Sequence, residues 1–239
     1  NPILGFQKAI KMGVDGIEFD VVVNKNLQLV ISHEPYIDTS YCISNLDQKN
    51  SLNIFEMELD EIKKIDCGSK YIDRFPNQIK IKEQKPTFEE LEKKLENYKG
   101  DLLFEIKCHP DYVNKNFPDY PTYAKIIIDE TKDSPLLKNI IFMSFDWRIL
   151  NEIYKINSNS KYIFLSQKID FKKELDFLTF KPFALGLNHK IISKSIIDSA
   201  HNQNQLVYAW TVNSVEILKK LIEINADGII TDYPDKIKK

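Results

Sequence analysis

The sequence lacks three features that would assign it to whole classes of protein. No apolar run approaches the ~18 residues that a transmembrane helix needs. Its 33 Lys and Arg against 35 Asp and Glu leave a formal charge of −2, which gives no general electrostatic footprint for nucleic acid and no polybasic membrane anchor. The three cysteines, Cys42, Cys67 and Cys108, show no zinc-ligand spacing. The composition is compatible with a small neutral or anionic substrate.

The composition that is present is typical of a globular protein. Apolar residues make up 43% of the chain, and 14 Phe, 11 Tyr and 2 Trp supply enough buried surface to argue against disorder. A chain of 239 residues is long enough for one large α/β domain or two small ones, since barrels of ~250 residues form a single domain.

Short apolar runs alternate with helical patterns along the chain. Strands are predicted over 16–23, 102–107, 140–144, 162–166, 183–187, 206–212 and 228–231, and a hairpin partner over 27–34. Helices are predicted over 3–12, near 56–65, from a capping box at Thr87 and Glu90, and near 121–132, 146–156, 170–179, 191–203 and 214–224. Unbroken apolar strands that alternate with helices predict a parallel sheet covered by helices.

The strand count predicts an α/β fold close to a (β/α)8 barrel. Seven core strands result when 27–34 is set aside, one short of a closed barrel. No repeat or flexible linker divides the chain, so we predict a single domain over 1–239 with a polar, irregular insertion at about 35–85.

Acidic residues recur on one face of two predicted strands. Glu18 and Asp20 share a face in GIEFDV, and Glu105 and Lys107 share a face in FEIK. Because the outer face of a parallel barrel must be apolar to meet the helices, these side chains should point into the lumen. Burying three carboxylates with one lysine is costly, and a hard divalent cation, Mg²⁺ or Ca²⁺, resolves the cost. The alternative is a buried ion-pair network in which Lys107 neutralises one carboxylate and the other carboxylates take up protons.

Two further residues are candidates for the site. A hairpin turn centred on Lys25 would pair residues whose numbers add up to about 50, which places His33 opposite Ile17 and beside Glu18. His33 is therefore a candidate general acid or base, although a histidine at a strand end can also be a plain surface residue. Trp210 ends a core strand, where it could form an aromatic wall for an apolar or glycerol-like group or simply belong to the core.

The spacing of the cysteines leaves two interpretations open. Cys42 and Cys67 lie 25 residues apart in one polar stretch and would form a disulfide in an exported protein; otherwise all three cysteines are free thiols.

Taken together, several segments resemble the glycerophosphodiester phosphodiesterase family, in the family's order from residue 1 to residue 234. They are GVDGIEFDVVVNKNLQLVISHEP, FEIK, MSFD, AWTVN and ADGIITDYP. The pattern ExD, a histidine fifteen residues later and then ExK is the specific part, and the segment IFEMELDEIKKIDCGSK resembles a bacterial subgroup with a long insertion.

The resemblance implies a TIM barrel that hydrolyses glycerophosphodiesters to sn-glycerol 3-phosphate and an alcohol, with Ca²⁺ or Mg²⁺. On this chain it implies Glu18, Asp20 and Glu105 as metal ligands. It further implies His33 as a catalytic histidine, Lys107 as the lysine that steadies phosphate charge, and Trp210 as the aromatic residue near the substrate. The rival expectations are a lysophospholipase D-type activity on a larger lipid and a non-catalytic phosphate- or glycerol-binding relative.

Two departures from the family pattern accompany the resemblance. The family's HD pair is His33-Glu34 here, and its opening HRG, which carries the partner catalytic histidine, is expected upstream of Asn1. We therefore expect a truncated chain without the first barrel strand and with impaired activity. Such a chain should leave a gap between strands 16–21 and 228–231, or have it filled by another segment. Export to a bacterial periplasm is slightly favoured over the cytoplasm.

Overall fold

The computed structural model describes residues 3–44, 51–73 and 75–237. The strands are β1 (Gly16–Val23), β2 (Leu29–Ile31), β3 (Asp101–Ile106), β4 (Ile140–Ser144), β5 (Lys161–Ser166), β6 (Ala184–Asn188), β7 (Leu206–Trp210) and β8 (Gly228–Ile229). The α-helices are α1 (Ile3–Lys11), α2 (Leu59–Ile62), α3 (Phe88–Leu95), α4 (Tyr120–Thr131), α5 (Trp147–Ile156), α6 (Lys172–Leu175), α7 (Lys194–His201), α8 (Val215–Glu223) and α9 (Pro234–Ile237). None of these helices combines the length and apolar character needed to cross a bilayer.

The strands form one sheet in the order β2-β1-β3-β4-β5-β6-β7-β8. All neighbours from β1 to β8 are parallel, and β2 is antiparallel to β1. Within the described ranges β1 and β8 do not pair with each other, so the sheet is an incomplete barrel, as the strand count predicted. The rings of Phe75 and Tyr233 lie 6.4 Å apart, so a segment from the region between β2 and α3 reaches the residues that follow β8.

Alternate residues along the strands point to opposite faces of the sheet, and each face has its own apolar core. On the outer face Phe19, Phe104 and Phe142 form a row, with ring centroids 5.3 and 5.4 Å apart along it, and pack against the helices. On the inner face a separate apolar cluster includes Leu103 and Ile141. The predicted alternation in β1 and β3 is therefore confirmed, because Phe19 and Phe104 belong to the helix-covered face.

The register predicted for the hairpin is wrong by two residues. Val21 pairs with Ile31 and Val23 with Leu29, so paired numbers add up to 52. The turn is displaced because Leu27, not Lys25, takes the left-handed conformation, with φ 62°. The strand ends at Ile31, and the last backbone hydrogen bond to β1 is donated by the Ser32 N–H to Asp20 O at 3.0 Å, so His33 lies just beyond the pairing and not opposite Ile17.

The segment between β2 and α3 has its own small core. We call residues 35–85 the insertion segment; its described residues add no strand to the sheet. Its apolar side chains pack on Val22 and Val30, and a disulfide joins Cys42 to Cys67, whereas Cys108 is a free thiol. The predicted helix near 56–65 is reduced to a 3-10 turn at Ile54–Glu56 and the single turn of α2.

Candidate active site

Three carboxylates meet on the inner face where β1 and β3 lie side by side. Asp20 is the register partner of Glu105, and Glu18 lies on the same face two residues earlier. One oxygen from each of the three lies within 4.8 Å of the others. Asp20 is 4% exposed and Glu105 is 7% exposed, whereas Glu18 is half-buried, so the acidic cluster is largely buried. The predicted convergence of the three acids is confirmed.

Lys107 supplies the positive charge beside this cluster. Its Nζ lies 2.9 Å from Asp20 Oδ1 and also pairs with the Glu105 carboxylate. Its backbone N–H donates to Val21 O at 3.1 Å, which fixes the residue just past the end of β3. Burial alone would lower the pKa of Lys107, but the carboxylates of Glu105 and Asp20 raise it above its ordinary value, so the side chain stays protonated at neutral pH.

One ammonium does not compensate three carboxylates. Burial, reinforced by the charges of Asp20 and Glu105, raises the pKa of Glu18 well above its ordinary value. Burial also raises the pKa of Glu105 to about 7, although Lys107 opposes the shift. The cluster thus carries a deficit of positive charge and offers only oxygen donors, which is the donor set that Mg²⁺ and Ca²⁺ prefer. The residues present therefore fit a hard divalent cation.

His33 follows β2 and is held by the next residue. Its Nδ1 lies 2.8 Å from Glu34 Oε1, and this hydrogen bond raises the pKa of His33. The side chain is 66% exposed, so a ring whose Nδ1 is occupied still has its Nε2 available for a proton transfer. The charge of His33 also acts on Glu105, which places the imidazole within electrostatic reach of the acidic cluster.

Trp210 ends β7, as predicted, and faces the inner cluster of the sheet. Its Nε1–H donates to Gly186 O at 2.9 Å, and its ring meets the ring of Phe145 edge to face, with centroids 5.3 Å apart. Phe145 was not singled out from the sequence, although it lies in the MSFD segment directly after β4. It is partly exposed, so the two rings form an accessible aromatic pair at the carboxyl end of the sheet.

The other motif residues and histidines have structural contacts. Asn213 accepts from the Asp232 N–H at 3.0 Å and from the Thr231 hydroxyl at 3.2 Å, so the TVN and ITD segments tie the ends of β7 and β8 together. His201 pairs with Asp227 at 2.8 Å, at the edge of the sheet where β7 and β8 begin. That edge is opposite to the one that carries Trp210.

Known proteins match this chain over nearly its whole length. The model of the glycerophosphoryl diester phosphodiesterase family matches residues 1–236. YhdW of Bacillus subtilis is 28% identical over 100% of this chain and 91% of its own length. A glycerophosphodiester phosphodiesterase of Caldanaerobacter subterraneus is 25% identical over 99% of this chain and 90% of its own. The solved structure of an Oleispira antarctica phosphodiesterase in complex with the product sn-glycerol-3-phosphate matches with a TM-score of 0.82 and 20% identity, over 100% of this chain and 89% of that one. The chain therefore belongs to the glycerophosphoryl diester phosphodiesterase family.

Proposed function

We propose that the protein hydrolyses glycerophosphodiesters to sn-glycerol 3-phosphate and an alcohol, in a reaction that depends on Ca²⁺ or Mg²⁺. The observation that carries the proposal is the buried cluster of Glu18, Asp20 and Glu105 beside Lys107. Family membership supports the reaction class, and the related Oleispira antarctica enzyme binds sn-glycerol 3-phosphate as its product.

Glu18, Asp20 and Glu105 would hold the cation. When bound, it neutralises charge that develops on the phosphoryl oxygens. Lys107 contributes a second positive charge from the side of β3 and remains protonated at neutral pH, because the flanking carboxylates raise its pKa. Both contributions matter most in the transition state, where the phosphoryl group carries its greatest charge.

His33 takes part in the proton transfers. Cleavage of a phosphodiester needs a proton removed from the nucleophile and one delivered to the leaving alkoxide, and an imidazole with a pKa near neutrality suits either step. With Nδ1 bound to Glu34, His33 presents Nε2 as the exchanging atom. Trp210 and Phe145, whose rings are in contact, would form the apolar side of the site, suited to the carbon skeleton of glycerol or of the alcohol.

Product analysis tests this proposal. The full-length protein is incubated with glycerophosphocholine and Ca²⁺ or Mg²⁺, and sn-glycerol 3-phosphate is measured with a coupled dehydrogenase. Turnover should disappear with a chelator and in Glu18→Gln, and persist in Glu96→Gln, an exposed glutamate of another element. His33→Ala should lower turnover by orders of magnitude while calorimetric cation binding stays nearly unchanged; His109→Ala is its matched control.

The same assay separates the rival activities. Release of lysophosphatidate from lysophosphatidylcholine, without turnover of glycerophosphocholine, would replace the proposal with a lysophospholipase D-type activity. Binding of glycerol phosphate without turnover of either substrate would indicate a non-catalytic relative.

We also propose that the protein works in an oxidising compartment such as the periplasm. The Cys42–Cys67 disulfide supports this, since such bonds persist outside the reducing cytosol. Thiol titration of the protein purified in its native state should find only Cys108 free; free thiols at Cys42 and Cys67 as well would contradict export.

A further inference from the structure

A hydrogen-bonded network from the insertion segment converges on the residue that holds His33. The Tyr41 hydroxyl donates to Glu34 Oε2, and the other carboxylate oxygen, Oε1, lies 2.8 Å from His33 Nδ1. Lys85 Nζ donates to Ser32 Oγ at 2.8 Å, and this hydroxyl donates in turn to Glu34 O at 2.6 Å. Both the side chain and the backbone carbonyl of Glu34 are therefore fixed by groups that come from, or are held by, the insertion segment.

Lys85 is unusual because its ammonium is buried. The residue is only 7% exposed, and a buried ammonium is costly unless charges and hydrogen bonds compensate it. Its Nζ lies 5.5 Å from the centroid of the Tyr41 ring. Burial lowers the pKa of Lys85 to about 8, and the negative charge of Glu34 opposes this shift. The Lys85 ammonium has no role in the proposed reaction. The free-energy cost of burying it is therefore explained by a structural role, in which it holds the neighbouring residues in place.

Glu34 is held as a carboxylate by this environment. Burial alone would raise its pKa, but hydrogen bonds with His33 and Tyr41, aided by the charges of His33 and Lys85, lower it to about 2. A permanently ionised Glu34 is an acceptor, so a neutral His33 must carry its proton on Nδ1 and leave Nε2 bare. Free histidine favours the opposite tautomer, and the network therefore selects the less common one.

The loop that carries Tyr41 is itself anchored. The backbone N–H groups of Tyr41 and Cys42 both donate to Asp38 O, at 3.2 and 2.8 Å, and Cys42 is covalently joined to Cys67. The tyrosine is thus held immediately beside a cross-link, which restricts the directions from which its hydroxyl can approach Glu34.

We propose that Tyr41 and Lys85 are positioning residues for His33: through Glu34 they fix its tautomer and the direction of its Nε2. The inference deepens the proposed function, on which it rests for the catalytic consequence alone. It gives the insertion segment a part in the reaction. This segment, whose described residues add no strand to the sheet, supplies the groups that orient the proton-transferring side chain.

The tautomer of His33 provides a direct test that needs no turnover. Nitrogen-15 chemical shifts of the imidazole distinguish Nδ1–H from Nε2–H, and the His33 signal is assigned with His33→Gln. The wild type should show Nδ1–H, whereas Tyr41→Phe and Glu34→Gln should move most of the neutral population to Nε2–H. Lys85→Met, which keeps the volume and removes the charge, should move it in the same direction. Tyr71→Phe, an exposed tyrosine of the same segment, is the matched control.

Turnover gives the second readout. Tyr41→Phe should lower kcat about tenfold, with KM changed less than twofold, as expected for a loss of orientation at the proton-transfer step. A shifted tautomer without any phosphodiesterase activity in the wild type would uphold the positioning network and reject the proposed function. An unshifted tautomer in both Tyr41→Phe and Lys85→Met, with folding preserved by circular dichroism, would overturn the inference.

Discussion

Raising the pH of the cation-free protein from about 5 to about 7.5 should destabilise the fold, and Glu105 should account for much of the loss. In the unfolded chain this carboxyl ionises at its ordinary pKa of 4.5, whereas burial raises the pKa in the folded protein to about 7. Between these values the folded state binds more protons than the unfolded state. The free energy of unfolding must therefore fall as the pH rises through this window, and level off above it.

The size of the effect follows from the displacement of the pKa. For Glu105, the full shift of the pKa from 4.5 to about 7 corresponds to about 3 kcal/mol in the free energy of unfolding. Glu18 acts in the same direction, since its pKa is raised as well. Lys107 does not contribute to the pH dependence in this window. Its ordinary pKa of 10.5 lies far above the window and is raised further in the folded protein, so the side chain stays charged in both states. A cation that binds the carboxylates removes the loss, so stabilisation by Ca²⁺ or Mg²⁺ should be larger at the higher pH.

Urea unfolding in the presence of a chelator, at several pH values across this window, measures the effect. Glu105→Gln cannot ionise and should remove about 2–3 kcal/mol of the fall in stability between the two pH values, whereas the exposed Glu96→Gln should retain the fall. The same slope in wild type and Glu105→Gln would refute the reasoning, and so would a divalent cation that stabilises the protein equally at both ends of the range.

Three further outcomes are expected. Reduction of the Cys42–Cys67 disulfide, or Cys42→Ser with Cys67→Ser, should lower the free energy of unfolding by about 3–4 kcal/mol because a loop of 25 residues is released. Proteolysis within 35–85 should accelerate, and an unchanged cleavage rate would contradict this prediction. Phe104→Ala, which removes a fully buried ring between three other phenylalanines, should cost about 3–5 kcal/mol in urea unfolding, and a cost below about 1 kcal/mol would mean that the outer core repacks freely. Asn213→Ala should cost about 1–2 kcal/mol and speed hydrogen exchange at residues 228–232, and unaltered exchange there would show that the tie between β7 and β8 is unimportant.

The face of each acidic residue was predictable because strand parity is a two-way choice. In GIEFDV and FEIK the apolar partners Phe19 and Phe104 alternate with the acids, so burying the phenylalanines against helices directs the carboxylates inward. The capping box was equally readable, and Thr87 and Glu90 exchange both of its hydrogen bonds, at 3.2 and 2.9 Å.

The hairpin register and the support of His33 were not predictable from such local patterns. Three turn residues at 24–26 indicate a tight turn but not which residue takes a positive φ, and Leu27 is an unfavourable choice for it. Lys85 and Ser32 meet across 53 residues of chain, through an irregular segment that has no periodicity to reveal which side chains face β2. Contacts of that kind depend on how the whole segment folds.

The separation of the acids along the chain also bears on how the site assembles. Asp20 and Glu105 are register partners, yet about 85 residues lie between them, so the acidic cluster exists only after β1 and β3 close a long loop. The disulfide lies inside that loop and shortens its effective length by about 25 residues. Because closure entropy grows only with the logarithm of length, this lowers the cost of closure by about 0.3 kcal/mol. The cross-link therefore hardly hastens the meeting of the acids, and its benefit falls almost entirely on the insertion segment.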